Sequence, residues 1–121
     1  MITHRIDKLN KEFLRRISEI LGMRIKNDFV KNAILTNVKV SRDLGHARVF
    51  YTMLNVEEQE QLQTALESVG GIIRSILGRE MKLRTIPQMH FIYDDSEAKA
   101  REMDALLERV AARDAELAKG Y

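Results

Sequence analysis

The spacing of apolar residues switches between two periods along this chain, and the switching restricts the fold more than any other feature. Ile6, Leu9, Phe13, Ile17, Ile20 and Leu21 recur at intervals of mostly three and four, which places them on one face of a helix over residues 5–25. Thr3 is positioned to cap its start, and Gly22 lies near its end. A polar connection over residues 26–32 follows. The period then becomes two: residues 36–41 alternate apolar and polar, and Ala47, Val49, Tyr51 and Met53 alternate with Arg48, Phe50 and Thr52. Arg42-Asp43-Leu44-Gly45 between these runs reads as a turn, so the pair forms a β-hairpin, one face of which carries Lys39, Arg48 and Phe50. Helical spacing returns with Leu62, Ala65, Leu66 and Val69, behind Asn55 as a cap and Glu57 and Glu58 in the first turn. Gly70-Gly71 interrupts it. Each glycine costs a helix about 1 kcal/mol relative to alanine, so a kink or break is expected at Val69-Gly70-Gly71. Ile72, Ile73, Ile76, Leu77 and Met81 continue beyond. Pro87 biases Ile86 to extended geometry, and residues 88–93 form a short strand. Asp94 and Glu97, at capping-box spacing, open a last helix from about Glu97 towards Lys119 that carries Met103, Leu106, Leu107 and Val110.

These elements describe an α+β fold, a three-stranded sheet packed by helices, with an added C-terminal helix. At 121 residues the chain is the size of one domain and can bury a core without a staple. Residues 1–95 form the body of that domain, and residues 96–121 its C-terminal helix and tail. Cysteine is absent, which excludes a disulfide scaffold, a cysteine-ligated zinc module and a thiol nucleophile. No apolar run is long enough to span a bilayer, and the opening residues lack the apolar core of a secretory signal. The expectation is a soluble cytoplasmic protein, with no membrane partner and no heptad seam to force a dimer.

The net charge is only +2, but it is unevenly spread: +6 over residues 1–54, −4 over 55–70, +3 over 71–93 and −3 over 94–121. Two basic blocks set apart by acidic ones suit a protein that turns a positive face to a polyanion. The cations fall into three sets. Arg5, Lys8, Lys11 and Arg15 recur at helical spacing on the first helix; Arg42 and Arg48 belong to the hairpin; Arg74, Arg79, Lys82 and Arg84 lie on or just after the helix that follows the glycines. Lysine and arginine neutralise phosphates, the dominant source of nucleic-acid affinity, and arginine adds bidentate hydrogen bonding. Arg74 has a second reading, as the partner of a carboxylate near the glycines. Phe13 and Phe91 belong to the core, and the sequence shows no cluster of adjacent aromatics. Recognition of the shape and backbone of a nucleic acid is therefore expected rather than base reading.

The catalytic inventory is thin. His4, His46 and His90 are scattered, no phosphate-binding glycine loop is present, and no Ser/His/Asp set stands out. Asp94-Asp95 is better explained as a helix start than as a divalent-cation site. No enzymatic activity, metal site or cofactor is expected.

Two stretches go beyond topology. The hairpin Val38-Lys39-Val40-Ser41-Arg42-Asp43-Leu44-Gly45-His46-Ala47-Arg48-Val49 resembles the V-x-V-S-x-D-L-x-x-A-x-V segment of the bacterial ribosome-binding factor A family. Gly71-Ile72-Ile73-Arg74, with the run from Leu83-Arg84 through Pro87 and Phe91 to Asp94 and Ser96, is similar to that family's G-x-I-R and L-R-x-x-P segments. The resemblance, in register from about residue 4 to residue 110, implies a KH-like (type II) fold in which an A-x-G kink replaces the G-x-x-G loop of working KH domains. Valine stands here where alanine is usual, and the KH clamp on four nucleotides does not carry over. It further implies an assembly factor that binds the immature small (30S) ribosomal subunit through 16S rRNA and aids late maturation, 5′-end processing included. A link to growth in the cold and release aided by a GTPase also follow from the resemblance. Two other readings stand beside it: a general KH-like RNA-binding protein or RNA chaperone acting off the ribosome, and a protein-interaction adaptor that uses its acidic last helix.

Overall fold

The computed structural model describes residues 2–119, with side chains for residues 5–96 and 99–113. Helix α1 (Ile2–Glu19) buries Phe13 and Ile17 completely and continues into a π-helical turn over Ile20–Arg24. Thr3 thus falls inside the helix rather than ahead of it. The wider turn lets Ile20 and Leu21 reach the core together before the chain straightens at Ile25. The connection expected over 26–32 holds more structure than its polarity suggests. Asn27 Oδ1 accepts the Phe29 amide at 2.9 Å, opening a 3-10 turn (Asp28–Asn32) that seals Val30 from solvent.

Strands β1 (Ile34–Val40) and β2 (His46–Thr52) pair antiparallel. β1 starts two residues earlier than its alternation indicates, because the register shifts between Leu35 and Asn37 and the extra residue, Thr36, masks the pattern. The turn is built by its own side chains. Asp43 Oδ1 accepts the Ser41 hydroxyl at 2.6 Å and the Gly45 amide at 2.9 Å, and Ser41 Oγ accepts the His46 amide at 3.0 Å. These bonds, Ser41 first and Gly45 second, hold the Asp43 carboxyl below its ordinary pKa. Leu44, packed against the core, accepts a φ of 60° to close the loop.

Helix α2 (Gln59–Glu80) follows a 3-10 turn (Val56–Glu58) capped by Asn55. It is helical at every residue through Val69-Gly70-Gly71, and no described glycine has a positive φ. The expected break is therefore absent. The reason lies in the buried stripe Leu62, Leu66, Val69, Ile73, Ile76 and Leu77, whose spacing of three and four passes through the glycines without losing phase. Burying apolar side chains on both sides outweighs about 1 kcal/mol of propensity per glycine.

α2 is the crossover that sets β3 (Gln88–Tyr93) parallel to β2, giving the order β1-β2-β3. Val38, Val40, Ala47, Val49, Tyr51 and Phe91 face the helices and are buried, while the side chains between them on the strands face outward. Buried Tyr51 donates its hydroxyl to Gln63, which in turn donates to the Phe91 carbonyl at 2.8 Å, tying β2, α2 and β3 together. Burial raises the Tyr51 pKa. Helix α3 (Ser96–Lys119) begins at Asp94, whose Oδ1 accepts the Ser96 amide at 3.0 Å and whose Oδ2 accepts the Thr36 hydroxyl at 3.0 Å. The Glu97 half of the expected capping box lies outside the described side chains.

Candidate nucleic-acid interface

The cations of this protein divide by whether a carboxylate neutralises them. Arg16 bonds Glu12 at 3.0 Å and reaches Glu80 at 3.5 Å, and Arg24 bonds the same Glu80. Glu80 is the last residue of α2, so these two arginines fasten α1 and its π-turn to the end of α2. The ten cations singled out from sequence behave differently. Arg5, Lys8, Lys11, Arg15, Arg42, Arg48, Arg74, Arg79, Lys82 and Arg84 are all exposed. Among the described residues only Arg15 has a carboxylate within ion-pair distance, Glu19 at 3.6 Å.

Arg74 is corrected in one respect. Its Nε donates to the Ile86 carbonyl at 3.1 Å rather than pairing with a carboxylate. It therefore pins α2 to the segment ahead of β3, where Pro87 is fully buried. With Arg84, Gly71, Ser75, Thr85 and Ile86 it lines an open groove of about 560 Å³. Nothing lies within 4 Å of where a Gly71 Cβ would stand, so no neighbour requires glycine at this position.

A second groove, of about 290 Å³, runs between α1 and the edge strand β1 and holds Lys11 and Lys39 with Asp7, Asn10, Leu14 and Asn37. Asn10 positions the two elements by accepting the Val40 amide at 2.9 Å. Positive charge thus continues from α1 around the edge of the sheet to Lys39 and then, by strand pairing, to Arg48 on β2. The cations form two groups, one at the β1 edge and one at the end of α2 beside β3. The Arg16–Glu80 link joins the two helices that carry them.

Sequence reasoning left three things unseen. Lys39 stands on the hairpin face outside the helical spacing that groups most of the other cations, and only its pairing with Arg48 and its groove with Lys11 place it among the phosphate-binding candidates. His46 and His90, 44 positions apart, stand with ring nitrogens 2.9 Å from each other. The anchoring role of Arg16 and Arg24 depends on Glu80, and no local pattern signals that contact. Asp94, weighed as a metal ligand and set aside, is held below its usual pKa by the Ser96 hydroxyl and amide and the Thr36 hydroxyl, as a helix cap.

The residues that carry the family resemblance are mostly structural. Ser41, Asp43 and Leu44 build the turn, Arg74 and Pro87 fix the approach to β3, Phe91 is core, and Asp94 caps α3. Comparison with known proteins agrees. The family model described as ribosome-binding factor A matches residues 5–107. Ribosome-binding factor A of Pseudomonas fluorescens is 36% identical over 115 residues, covering 93% of this chain and 86% of that protein. Its counterpart in Thioalkalivibrio sulfidiphilus is 38% identical over 111 residues, covering 91% of this chain and 86% of that one. Among solved structures, ribosome-binding factor A from Thermus thermophilus superposes with a TM-score of 0.66 at 18% identity, over 73% of this chain and 93% of that chain. A ribosome-binding factor structure from Mycoplasma pneumoniae gives a TM-score of 0.55 at 28% identity, over 68% and 85%.

Proposed function

This chain belongs to the ribosome-binding factor A family, and from that premise we propose that it is an assembly factor for the immature small (30S) ribosomal subunit. In this reading it binds 16S rRNA in the cytoplasm and aids late maturation, including processing of the 5′ end. One observation carries the reading: ten exposed cations, nine of them without a carboxylate partner among the described residues, on a body whose anchoring arginines are paired. Unneutralised, solvated cations are free to replace the counterions of a phosphate backbone, and the entropy of that release drives binding.

The mechanism is binding alone. Arg5, Lys8, Lys11 and Arg15 of α1, Arg42 and Arg48 of the hairpin, and Arg74, Arg79, Lys82 and Arg84 at the end of α2 and beyond grip the RNA in one conformation of the immature subunit. A ligand shifts such an equilibrium only by its differential affinity for the two states. Release follows from rearrangement of the rRNA or from a second factor such as a GTPase. The body over residues 1–95 does the binding as a monomer, with residues 96–121 appended to it.

Sedimentation of cell lysate tests the proposal. The protein is expected with free small subunits. Its recovery with mature 70S ribosomes, or at the top of the gradient as an off-ribosome RNA-binding protein requires, would overturn it. Affinity for purified small subunits should fall steeply with salt, and Lys8→Ala should reduce the slope by about 1.

A further inference from the structure

The outer face of the sheet holds an arrangement that neither strand shows alone. Strand register sets Lys39, Arg48 and His90 in one row across β1, β2 and β3, and Asn37, Phe50 and Ile92 in the next. All six side chains are exposed or half-exposed, and none is acidic. The Phe50 ring has Lys39 Nζ at 5.8 Å and Arg48 Cζ at 5.9 Å from its centroid. Among the described residues neither cation has a carboxylate within ion-pair distance, and Asp43 and Asp94, which flank the sheet, are engaged in the turn and the helix cap. Beside this array the His46 and His90 rings lie 5.1 Å apart, tilted by 34°, with Nδ1 of one 2.9 Å from Nε2 of the other. A hydrogen bond between them, one ring donating and the other accepting, links β2 to β3 on this face.

We propose that this face is a stacking site for unpaired RNA nucleotides, with Phe50 as its central ring. It rests on the RNA-binding reading above and adds a ligand class to it: single-stranded nucleotides beside the structured RNA gripped by α1 and the end of α2. Three aromatic rings and a guanidinium plane offer flat surfaces to bases, and Lys39 and Arg48 stand ready for the phosphates between them. Half-exposed Phe50 pairs with Ile92 across the sheet and has Lys39 and Arg48 over its ring, so a base that stacks there takes the place of these cations and brings its phosphates to them. The site is continuous with the positive groove at Lys11 and Lys39, so a strand leaving the α1 contact can run directly onto the sheet. The absence of acid on the face favours a polyanion as occupant, and the rings favour one that carries bases.

The test titrates the full-length protein with an oligouridylate octamer and, separately, with a blunt RNA duplex, reading aromatic and methyl resonances by NMR and affinity by fluorescence anisotropy. The octamer is expected to shift Phe50, His90 and Ile92. Phe50→Leu, which keeps an apolar side chain but removes the ring, should weaken octamer binding about tenfold or more. Phe50→Tyr should restore it, and duplex binding should be unchanged by either variant. Arg48→Gln, at an exposed position, provides an independent variant and should weaken the octamer as well. Octamer shifts confined to α1, or equal octamer affinity for the parent protein and Phe50→Leu, would overturn the site. So would inorganic polyphosphate competing equally well with the parent and Phe50→Leu, since charge alone would then explain the binding. These outcomes are independent of sedimentation: a protein that rides with small subunits but fails here loses only the stacking site, and one that stacks the octamer but avoids small subunits loses only the ribosomal role.

Discussion

The apolar stripe of α1 is sealed against the sheet, whereas that of α3 faces outward along its described length. Phe13 and Ile17 are fully buried, while Met103, Leu106, Leu107 and Val110 are each about half exposed, and every described side chain from Lys99 to Arg113 is exposed. Both helices have apolar residues at spacings of three and four, so amphipathicity alone does not determine which helix is docked. What differs is the support each draws on. α1 is fastened from outside, by burial, by Asn10 on the β1 backbone and by Arg16 and Arg24 on Glu80. α3 is supported from within: it has 24 residues, seven of them alanine, an Asp94 cap and a Lys99–Asp95 pair at 3.3 Å. That length exceeds the roughly 12–15 residues below which an isolated helix is marginal.

The contrast is sharpest in core truncation. Ile17→Ala should cost about 2–5 kcal/mol in a urea melt, and Leu107→Ala no more than about 0.5 kcal/mol. Equal losses would show that α3 is docked in solution. Cutting the clamp tests the same difference through polar contacts. Glu80→Gln frees Arg24, leaves Arg16 with Glu12 alone, and should cost up to about 1 kcal/mol, while Lys99→Gln should cost a few tenths, because exposed pairs contribute little. Propensity is the third lever. Gly71→Ala should stabilise the protein by roughly 0.4–1 kcal/mol, since the position is helical and open, and Gly70→Ala should do the same with its Cβ in ordinary contact with Phe91. Ala105→Gly in α3 should lower helix content by circular dichroism and leave the core melt unmoved. A Gly71→Ala loss would restore a special backbone role to that glycine.

The smallest effect is on pH. Asp94 has a pKa lowered from 3.8 in the folded protein, so its contribution is present above that value and disappears as pH falls through the lower, folded one. Helix content should therefore drop below about pH 4, with a smaller drop in Asp94→Asn. Identical acid titrations would show that the cap does not hold the start of α3.

The periods of the sequence determined which segments became helix and strand, because burial on one face imposes a spacing of 3.6 or 2 whatever the fold. Turn and cap chemistry was equally local: Asp43 and Asp94 act on neighbours a few residues away. Basic residues, too, could be picked out as exposed, since an unpaired charge cannot be buried cheaply. The continuity of α2 was legible in principle, in the unbroken phase from Leu62 to Leu77, but glycine propensity, a weaker force, pointed the other way. Only the tertiary structure decided that Arg16 and Arg24 anchor while Lys11 and Lys39 share a groove, that α1 is covered and α3 bare, and that Phe50 stands beside Ile92 and His46 beside His90. Each depends on residues far apart in the chain being placed within a few ångströms, and such contacts are set by how strands register and helices cross, which no single segment encodes.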